Sequence, residues 1–287
     1  MTKHPVVSII FPTLNGWEDT RRCLQSISKL NYPKNKIEVI VVDNASKKTQ
    51  NSKLKTQNYN LKLKIIRNNT NFGFARAVNQ GIKRAQGDYI FVTNNDMIFS
   101  RSFLSELVGF AEKNPTVGIV GGKIYYQKPE NKLLFTGLSF NPWTGSIKKL
   151  PNPNQTKETE WVQGCTMLVK KDVVKKIGIF DPDYFYTFED LDFCKRAKKA
   201  GFKIFYFPKA VAWHKEGGTI DKMGFRKKAY ELYKAKFRYI FKNCSPLQIL
   251  STTLIQFFVV APYRKLIVRD KYFFIRPMIK GYLDNLI

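Results

Sequence analysis

Acidic residues are scarce in this chain. Its 287 residues carry 22 Asp and Glu against 49 Lys and Arg, a formal net charge of +27. That balance implies a polyanionic partner: nucleic acid, an anionic membrane face or a phosphorylated substrate. Histidine is scarcer still, with His4 near the terminus and His214 far downstream, so no histidine-rich metal cluster can form. The four cysteines, Cys23, Cys165, Cys194 and Cys244, make no CxxC pair. This spacing excludes a zinc ribbon and a disulfide framework, and suits reduced core residues in a cytosolic setting. Neither GxGxxG nor GxxxxGK[ST] occurs, which removes a Rossmann dinucleotide site and a P-loop. No uncharged apolar run reaches the ~18 residues of an unambiguous membrane span. The residues before Val6 are too few for a signal peptide, and no internal repeat is visible.

What is present is a globular composition, 44% hydrophobic and 14% aromatic. Apolar runs over Val6–Phe11, Ile37–Val42, Leu63–Ile66 and Tyr89–Thr93 read as buried strands. Between them, helices are predicted over Glu18–Leu30, with Leu24 and Ile27 facing inward, over Lys47–Leu61, and from Gly73 on, with Ala75, Val78, Ile82 and Ala85 at helical spacing. Alternating strands and helices predict a doubly wound, mostly parallel α/β sheet over the first ~100 residues. A helix over Ser102–Lys113 follows, then a strand from Val117. Residues Gln127–Glu160, rich in Pro, Asn and Lys, read as a long irregular loop, functional or mobile. Trp161–Val169 reads as a strand, Lys171–Ile177 as a helix, and Phe202–Phe207 and Ala210 onward as strands.

Each early strand ends in a polar residue. In an open α/β sheet the crevice beyond the carboxyl ends of the strands binds ligands. Asn94-Asn95-Asp96 empties from the Tyr89–Thr93 strand into that crevice, and the Asp96 carboxylate suits a hard divalent cation on a diphosphate. Asp43, at the end of the second strand, can accept from a base N–H, and the amino end of the Gly73 helix can offer N–H groups to phosphate. Turn and capping chemistry would also explain these residues. Glu189, Asp190 and Asp192 open a helix, where acids contribute roughly 0.3–1 kcal/mol each. The preceding Phe185, Tyr186 and Phe188 form an aromatic wall that would raise a carboxylate pKa and suit the apolar face of a sugar. His214 ends an apolar run just before Gly217-Gly218, a pair that permits a mobile loop over phosphates.

Taken in order, these segments resemble the family 2 glycosyltransferases, which have the GT-A fold, and in particular their bacterial rhamnosyltransferase-like branch. The likeness covers about residues 5–220. Pro12-Thr13-Leu14-Asn15-Gly16 is similar to the family's opening loop, Val41–Ser46 to its nucleotide-contacting strand end, and Asn71-Phe72-Gly73-Phe74-Ala75 with Asn79-Gln80-Gly81 to its donor helix. Asn94-Asn95-Asp96 stands at its metal motif, Trp161–Gly164 and Gly178–Asp181 at its acceptor-side segments, Phe188–Asp192 at its catalytic acidic motif, and His214–Thr219 at its late histidine loop. The resemblance implies donor contacts at Thr13, Asn15, Asp43, Asn71, Gly73, Asn79 and Asn95. It implies Mg²⁺ or Mn²⁺ at Asp96 and His214, and acceptor contacts at Trp161, Gly164 and Phe188. Asp190 would be the base, with neighbouring Glu189 the alternative. The metal motif departs from the common Asp-x-Asp, since Asp96 is its one acid. The Gln-x-x-Arg-Trp motif of processive relatives is absent, which implies single additions.

The implied activity is inverting, non-processive transfer from a dTDP- or UDP-linked sugar, rhamnose among the candidates, to a glycan or polyprenyl-linked acceptor of cell-surface polysaccharide synthesis. The alternatives are a sugar-1-phosphate nucleotidyltransferase, whose Gly-rich amino-terminal loop is missing, and a non-enzymatic nucleic-acid-binding protein, for which no motif speaks. Two regions are expected: a catalytic domain over about 1–222, its nucleotide-sugar half ending near residue 100, and a basic amphipathic helical module over about 223–287. In that module Tyr230, Tyr233, Phe237 and Phe241 sit at helical spacing among Lys227, Lys228, Lys234, Lys236, Arg238 and Lys242. Leu247–Tyr263 then runs uncharged for 17 residues, at the short limit for spanning. The expected location is the cytoplasmic face of the membrane, held on anionic lipid. Packing of these helices on the catalytic domain, or a homodimer contact, is the competing expectation.

Overall fold

The computed structural model describes residues 4–47, 59–129, 132–215, 224–263 and 275–286. Val7–Thr13 (β1), Ile37–Asn44 (β2), Lys62–Asn68 (β3) and Tyr89–Thr93 (β4) are parallel and lie side by side in the order β3-β2-β1-β4. β2 and β4 are buried along their whole length, because helices cover both faces of a parallel sheet. The strand order reverses at β1, so a crevice opens beyond Thr13 and Thr93.

Residue alternation divides the interior into two cores. Ile9 and Phe11 belong to one and Ile10 to the other. On the first face lies Trp17–Ser28 (α1), which buries Trp17, Thr20, Cys23, Leu24 and Ile27 along one stripe. On the second lies Gly73–Arg84 (α2), burying Ala75, Val78 and Ile82. α2 approaches β1 so closely that a Cβ on Gly81 would sit 2.3 Å from Ile10 Cγ2. The helix expected over Lys47–Leu61 lies largely outside the described residues.

The remainder of the sheet is mixed. Met97–Phe99 (β5) is followed by Phe103–Lys113 (α3) and Val117–Tyr126 (β6). The region read as an irregular loop contains four short strands: Leu133–Phe135 (β7), Leu138–Phe140 (β8), Ile147–Lys149 (β9) and Lys157–Glu158 (β10). Strands of two or three residues leave no period to read. Thr166–Lys170 (β11) is antiparallel to both β4 and β6. It is shorter than the expected Trp161–Val169, because Trp161 makes only an isolated bridge to Leu138. Lys171–Ile177 (α4) and Glu189–Lys199 (α5) precede Lys203–His214 (β12), which is one strand where two were expected. Its register shifts between Phe207 and Val211, around Pro208, which has no N–H to give to the ladder.

Phe225–Asn243 (α6) belongs to the core, not to a separate surface. Tyr233, Phe237 and Ile240 are buried in the same cluster as Phe180, Phe188 and Phe193. Two of its cations, Arg238 and Lys242, are also engaged. Arg238 Nη2 lies 3.1 Å from Asp181 Oδ2 and 2.8 Å from Asp183 Oδ2, and Lys242 Nζ lies 2.8 Å from Asp181 Oδ2. The aromatic stripe expected to meet a membrane therefore faces the protein, since burying these large rings stabilises by about 1.5–3 kcal/mol each. Pro246–Ile255 (α7) opens with a Ser245–Gln248 capping box and runs into a π turn over Gln256–Val260. Ile275–Leu283 (α8) packs on α6, where Met278 and Gly281 are buried. Among the described residues no helix is long and apolar enough to cross a membrane.

Candidate active site

A cavity of about 390 Å³ opens where the sheet order reverses. Its walls bring together Thr13, Asn44, Asn71 and Gly73 from the first half of the sheet, Asn94, Asn95 and Asp96 after β4, and His214 at the end of β12. Trp161, Gln163, Gly164, Phe185, Tyr186, Thr187, Glu189 and Asp190 close the opposite side. A larger hollow of about 650 Å³ lies along β3 and the end of α2, lined by Leu63, Lys64, Lys83 and Arg84. It has neither carboxylate nor histidine on its wall, so the chemistry belongs to the smaller cavity.

The upper rim is tied by side-chain amides. Asn44 Nδ2 donates to Asn71 Oδ1 at 2.7 Å, and Asn68 Nδ2 donates to Asn44 Oδ1 at 3.1 Å. Asn95 Nδ2 lies 3.2 Å from Thr13 Oγ1 and 3.1 Å from the Gly16 carbonyl, which fixes the loop after β1. Asn15, in the left-handed region at φ +54°, accepts from Lys47 N at 2.8 Å, and its own N–H donates to Ser46 Oγ at 2.9 Å. It therefore joins two loops without standing on the cavity wall.

The amino end of α2 differs from expectation. The Phe72 N–H donates to Asn44 Oδ1 at 3.1 Å, that of Gly73 to Asn71 Oδ1 at 3.0 Å, and that of Phe74 to the Phe185 carbonyl at 2.5 Å. These three donors are engaged within the protein. Gly73 has φ +80°, and a Cβ there would stand 2.4 Å from the Phe185 carbonyl oxygen, so glycine lets the acidic segment close onto the helix.

Three further residues are placed away from the cavity. Asp43 is fully buried, accepting from Ser46 N at 2.9 Å and from the Arg67 guanidinium. Asn79 spends both ends of its amide on Phe180, donating to its carbonyl at 2.8 Å and accepting from its N–H at 3.0 Å. It joins the two halves of the molecule and does not line the cavity. Phe188 turns its ring inward against Phe140 and Tyr239. Its φ of +67° is unusual for a bulky residue and costs about 1–3 kcal/mol. The strain sits immediately before the acid pair. Sequence reasoning did not single out Asn44 or Gln163 on the wall. The Asn–Asn pairing was invisible because Asn44, Asn68 and Asn71 meet only when β2, β3 and α2 assemble.

The acid pair is asymmetric. Asp190 Oδ2 accepts from the Gly164 N–H at 2.8 Å, and Oδ1 from the Leu191 N–H at 2.8 Å. Burial raises its pKa, and those backbone donors oppose the rise. The Trp161 indole N–H stands near enough to favour the charged form without reaching hydrogen-bond geometry. Glu189 has no such donor set, and its Oε2 is buried without a partner. Burial first, and the Asp190 charge second, push its pKa well above the ordinary carboxylate value of 4.5. The pair titrates as a unit, with the proton favoured on Glu189.

Linkage turns this into an expected result. A carboxyl whose folded pKa is raised contributes stability below its unfolded pKa and loses it as pH rises through the folded value. Glu189→Gln removes that penalty. The melting temperature of the variant relative to the parent should therefore climb as pH rises above about 4.5 and level off above the folded pKa of the pair. A difference independent of pH would show that Glu189 titrates normally.

Across the cavity, β5 pairs with β12 so that Met97 faces His214. This places Asp96 Oδ1 3.0 Å from His214 Nε2, with Asn94 Nδ2 3.3 Å from the same nitrogen. Two ligands at right angles on one cation, each at roughly 2.1 Å, are about 3 Å apart, so the pair fits adjacent positions of an octahedral ion. Among the described residues no group of three His, Cys, Asp or Glu could hold a metal unaided. The remaining positions would fall to diphosphate oxygens and water, as is usual for Mg²⁺. His214 Nδ1 is buried without a partner, so no second group fixes the ring's tautomer. The residues fit a cation held jointly with its nucleotide.

A half-parallel, half-mixed sheet with a polar crevice at its switch point and paired acids on one wall defines a GT-A nucleotide-sugar transferase fold. The solved mannosyltransferase PcManGT from Pyrobaculum calidifontis, in complex with GDP-Man and Mn²⁺, shares this fold at a TM-score of 0.61 and 18% identity, over 99% of this chain and 88% of that one. The profile of Glycosyl transferase family 2 matches residues 8–178, and the chain belongs to that family. Glycosyltransferase AglE of Haloferax volcanii is 25% identical over 211 residues, 73% of this chain and 67% of the relative. The N-acetylglucosaminyl-diphospho-decaprenol L-rhamnosyltransferase of Mycobacterium tuberculosis is 24% identical over 179 residues, 53% and 58% of the two chains. The chain spans from 25% to 67% of the length of such curated relatives.

Proposed function

We propose that this protein transfers a single sugar, with inversion, from a nucleotide-diphosphate sugar to a hydroxyl of a glycan or polyprenyl-linked glycan in cell-surface polysaccharide synthesis. One observation carries the reading: a buried acid pair, Glu189 and Asp190, lines the same cavity as Asp96 and His214. Asp190, held by two backbone donors, takes the acceptor proton as the acceptor oxygen attacks the anomeric carbon. The bond from that carbon to the diphosphate breaks, and the diphosphate leaves with the electron pair. Glu189, protonated, donates to an acceptor hydroxyl and orients it. Asn44, Asn71 and Thr13 line the donor end, while Trp161 and Gly164 line the acceptor end. Asp96 and His214 would hold Mg²⁺ or Mn²⁺, which when bound offsets the charge gained by the leaving diphosphate.

The family match favours this reading over a nucleotidyltransferase or a nucleic-acid-binding protein. The relative named as a decaprenol-linked rhamnosyltransferase supports a lipid-linked acceptor and makes dTDP-rhamnose the first donor to test, with UDP sugars next. The experiment is a thermal-shift panel of nucleotide sugars with Mn²⁺, followed by a transfer assay with the best binder. One donor should raise the melting temperature well above its nucleoside monophosphate. A panel in which no nucleotide sugar binds would overturn the proposal.

A further inference from the structure

On α7 the usual arrangement of an amphipathic helix is reversed. Leu247, Leu250, Leu254 and Phe258 recur at spacings of three and four, and so form one face, and that face is exposed. Phe258 is 74% exposed and Leu247 69%. The polar side chains point inward instead. Thr252 Oγ1 donates to the Pro142 carbonyl at 2.5 Å, Gln256 Nε2 to the Thr144 carbonyl at 2.7 Å, and Ser251 Oγ to the Trp143 carbonyl at 3.0 Å. The orientation of the helix is thus fixed by hydrogen bonds to the β8–β9 turn, and Trp143 on that turn stands half exposed beside the stripe. A water-facing helix gains nothing from such a face, because each exposed leucine or phenylalanine forgoes its burial.

We infer that this stripe, with Trp143, is a docking face for an anionic lipid surface, which the acyl region covers while cations meet the headgroups. Charge decides between lipid and a second copy of the chain. Residues 224–287 hold thirteen lysines and arginines, against Glu231, Asp270 and Asp284. Two copies of a chain with a net charge of +27 repel one another, whereas an anionic leaflet attracts such a chain. The face also adjoins the acceptor side of the cavity. The β8–β9 hairpin that α7 grips carries Phe140, which packs on Phe188 immediately before Glu189. Docking there brings the acceptor wall close to the bilayer, where a lipid-linked glycan presents its hydroxyl. The docking itself stands without any assumption about the acceptor.

The test is flotation of the full chain with phosphatidylcholine vesicles, with and without phosphatidylglycerol, alongside Leu250→Glu/Phe258→Glu. Both substituted positions are exposed, so the variant should keep the parent's melting temperature and its donor binding in solution. The parent should float with the anionic vesicles, and the variant should lose that partition by at least tenfold. Equal flotation of parent and variant would place membrane attraction elsewhere and overturn the inference. So would a parent that fails to float and sediments as a dimer which the double substitution splits, since the face would then be a contact between copies. If the transfer reaction fails while flotation holds, the proposed chemistry falls and the docking face stands.

Discussion

Asp190→Asn is expected to lower the transfer rate by about 10²–10⁴, the usual worth of a positioned base, while leaving donor binding close to that of the parent. The geometry separates the two effects. Asp190, held by the N–H groups of Gly164 and Leu191, lies on the wall opposite Thr13, Asn44 and Asn71, the proposed donor end. Asparagine keeps the shape but offers only one acceptor oxygen to those two donors, leaving a modest stability cost of about 1–3 kcal/mol. The measurement is a steady-state transfer assay paired with donor-induced thermal shift. In the parent the rate should rise with pH through the raised apparent pKa of the pair, because the base must be ionised. An asparagine variant that turns over normally would move the base assignment to Glu189.

The second large effect is expected from the other wall. Chelation with EDTA should stop transfer, and Mn²⁺ or Mg²⁺ should restore it. Asp96→Ala should cost about 10²–10³ in rate, the scale on which a fixed group stabilises developing negative charge. His214→Ala should cost less than Asp96→Ala and leave a protein that needs more metal for half-maximal activity, because the imidazole contributes one neutral ligand. With two protein ligands 3.0 Å apart among the described residues, metal and nucleotide should bind cooperatively. Isothermal titration of Mn²⁺ with and without UDP or dTDP reads that coupling directly. Full activity in EDTA would refute the role of Asp96 and leave the lysines to neutralise the diphosphate.

Local sequence carried much of this site. Asp96, His214, Glu189 and Asp190 stood out at the edges of predicted strands and helices, the resemblance to the family implied their roles, and they line one cavity. Asp43 ends its strand in the same way, Asn79 and Phe188 were named by the family resemblance, and the fold places all three away from the cavity. Asn79 shows why: whether a polar residue on a helix faces a ligand or a neighbouring carbonyl depends on which segment packs against it. Here that segment is Phe180, about a hundred residues downstream. The strands between Gln127 and Glu160 were unreadable because two or three residues contain no period, and pairing alone makes them strands.

The carboxyl-terminal helices mark the same boundary. Helical spacing on α6 was correctly legible, but periodicity does not say whether a stripe of aromatics faces a membrane or a core. Tyr233 and Phe237 face the core because α5 and α8 supply apolar partners. On α7 the apolar stripe has no such partner among the described residues, and hydrogen bonds from Thr252 and Gln256 turn it outward.

By itself the sequence determined the alternation of strands and helices, polar residues at the carboxyl ends of the strands and the types of chemistry-bearing residue, since period, turn residues and charge are properties of neighbours along the chain. Only the tertiary structure decided that burial raises the pKa of both carboxyls and that backbone donors hold the rise at Asp190 below that at Glu189. That difference rests on the Gly164 N–H, 26 residues away in sequence and 2.8 Å away in space, and on burial that no local pattern encodes.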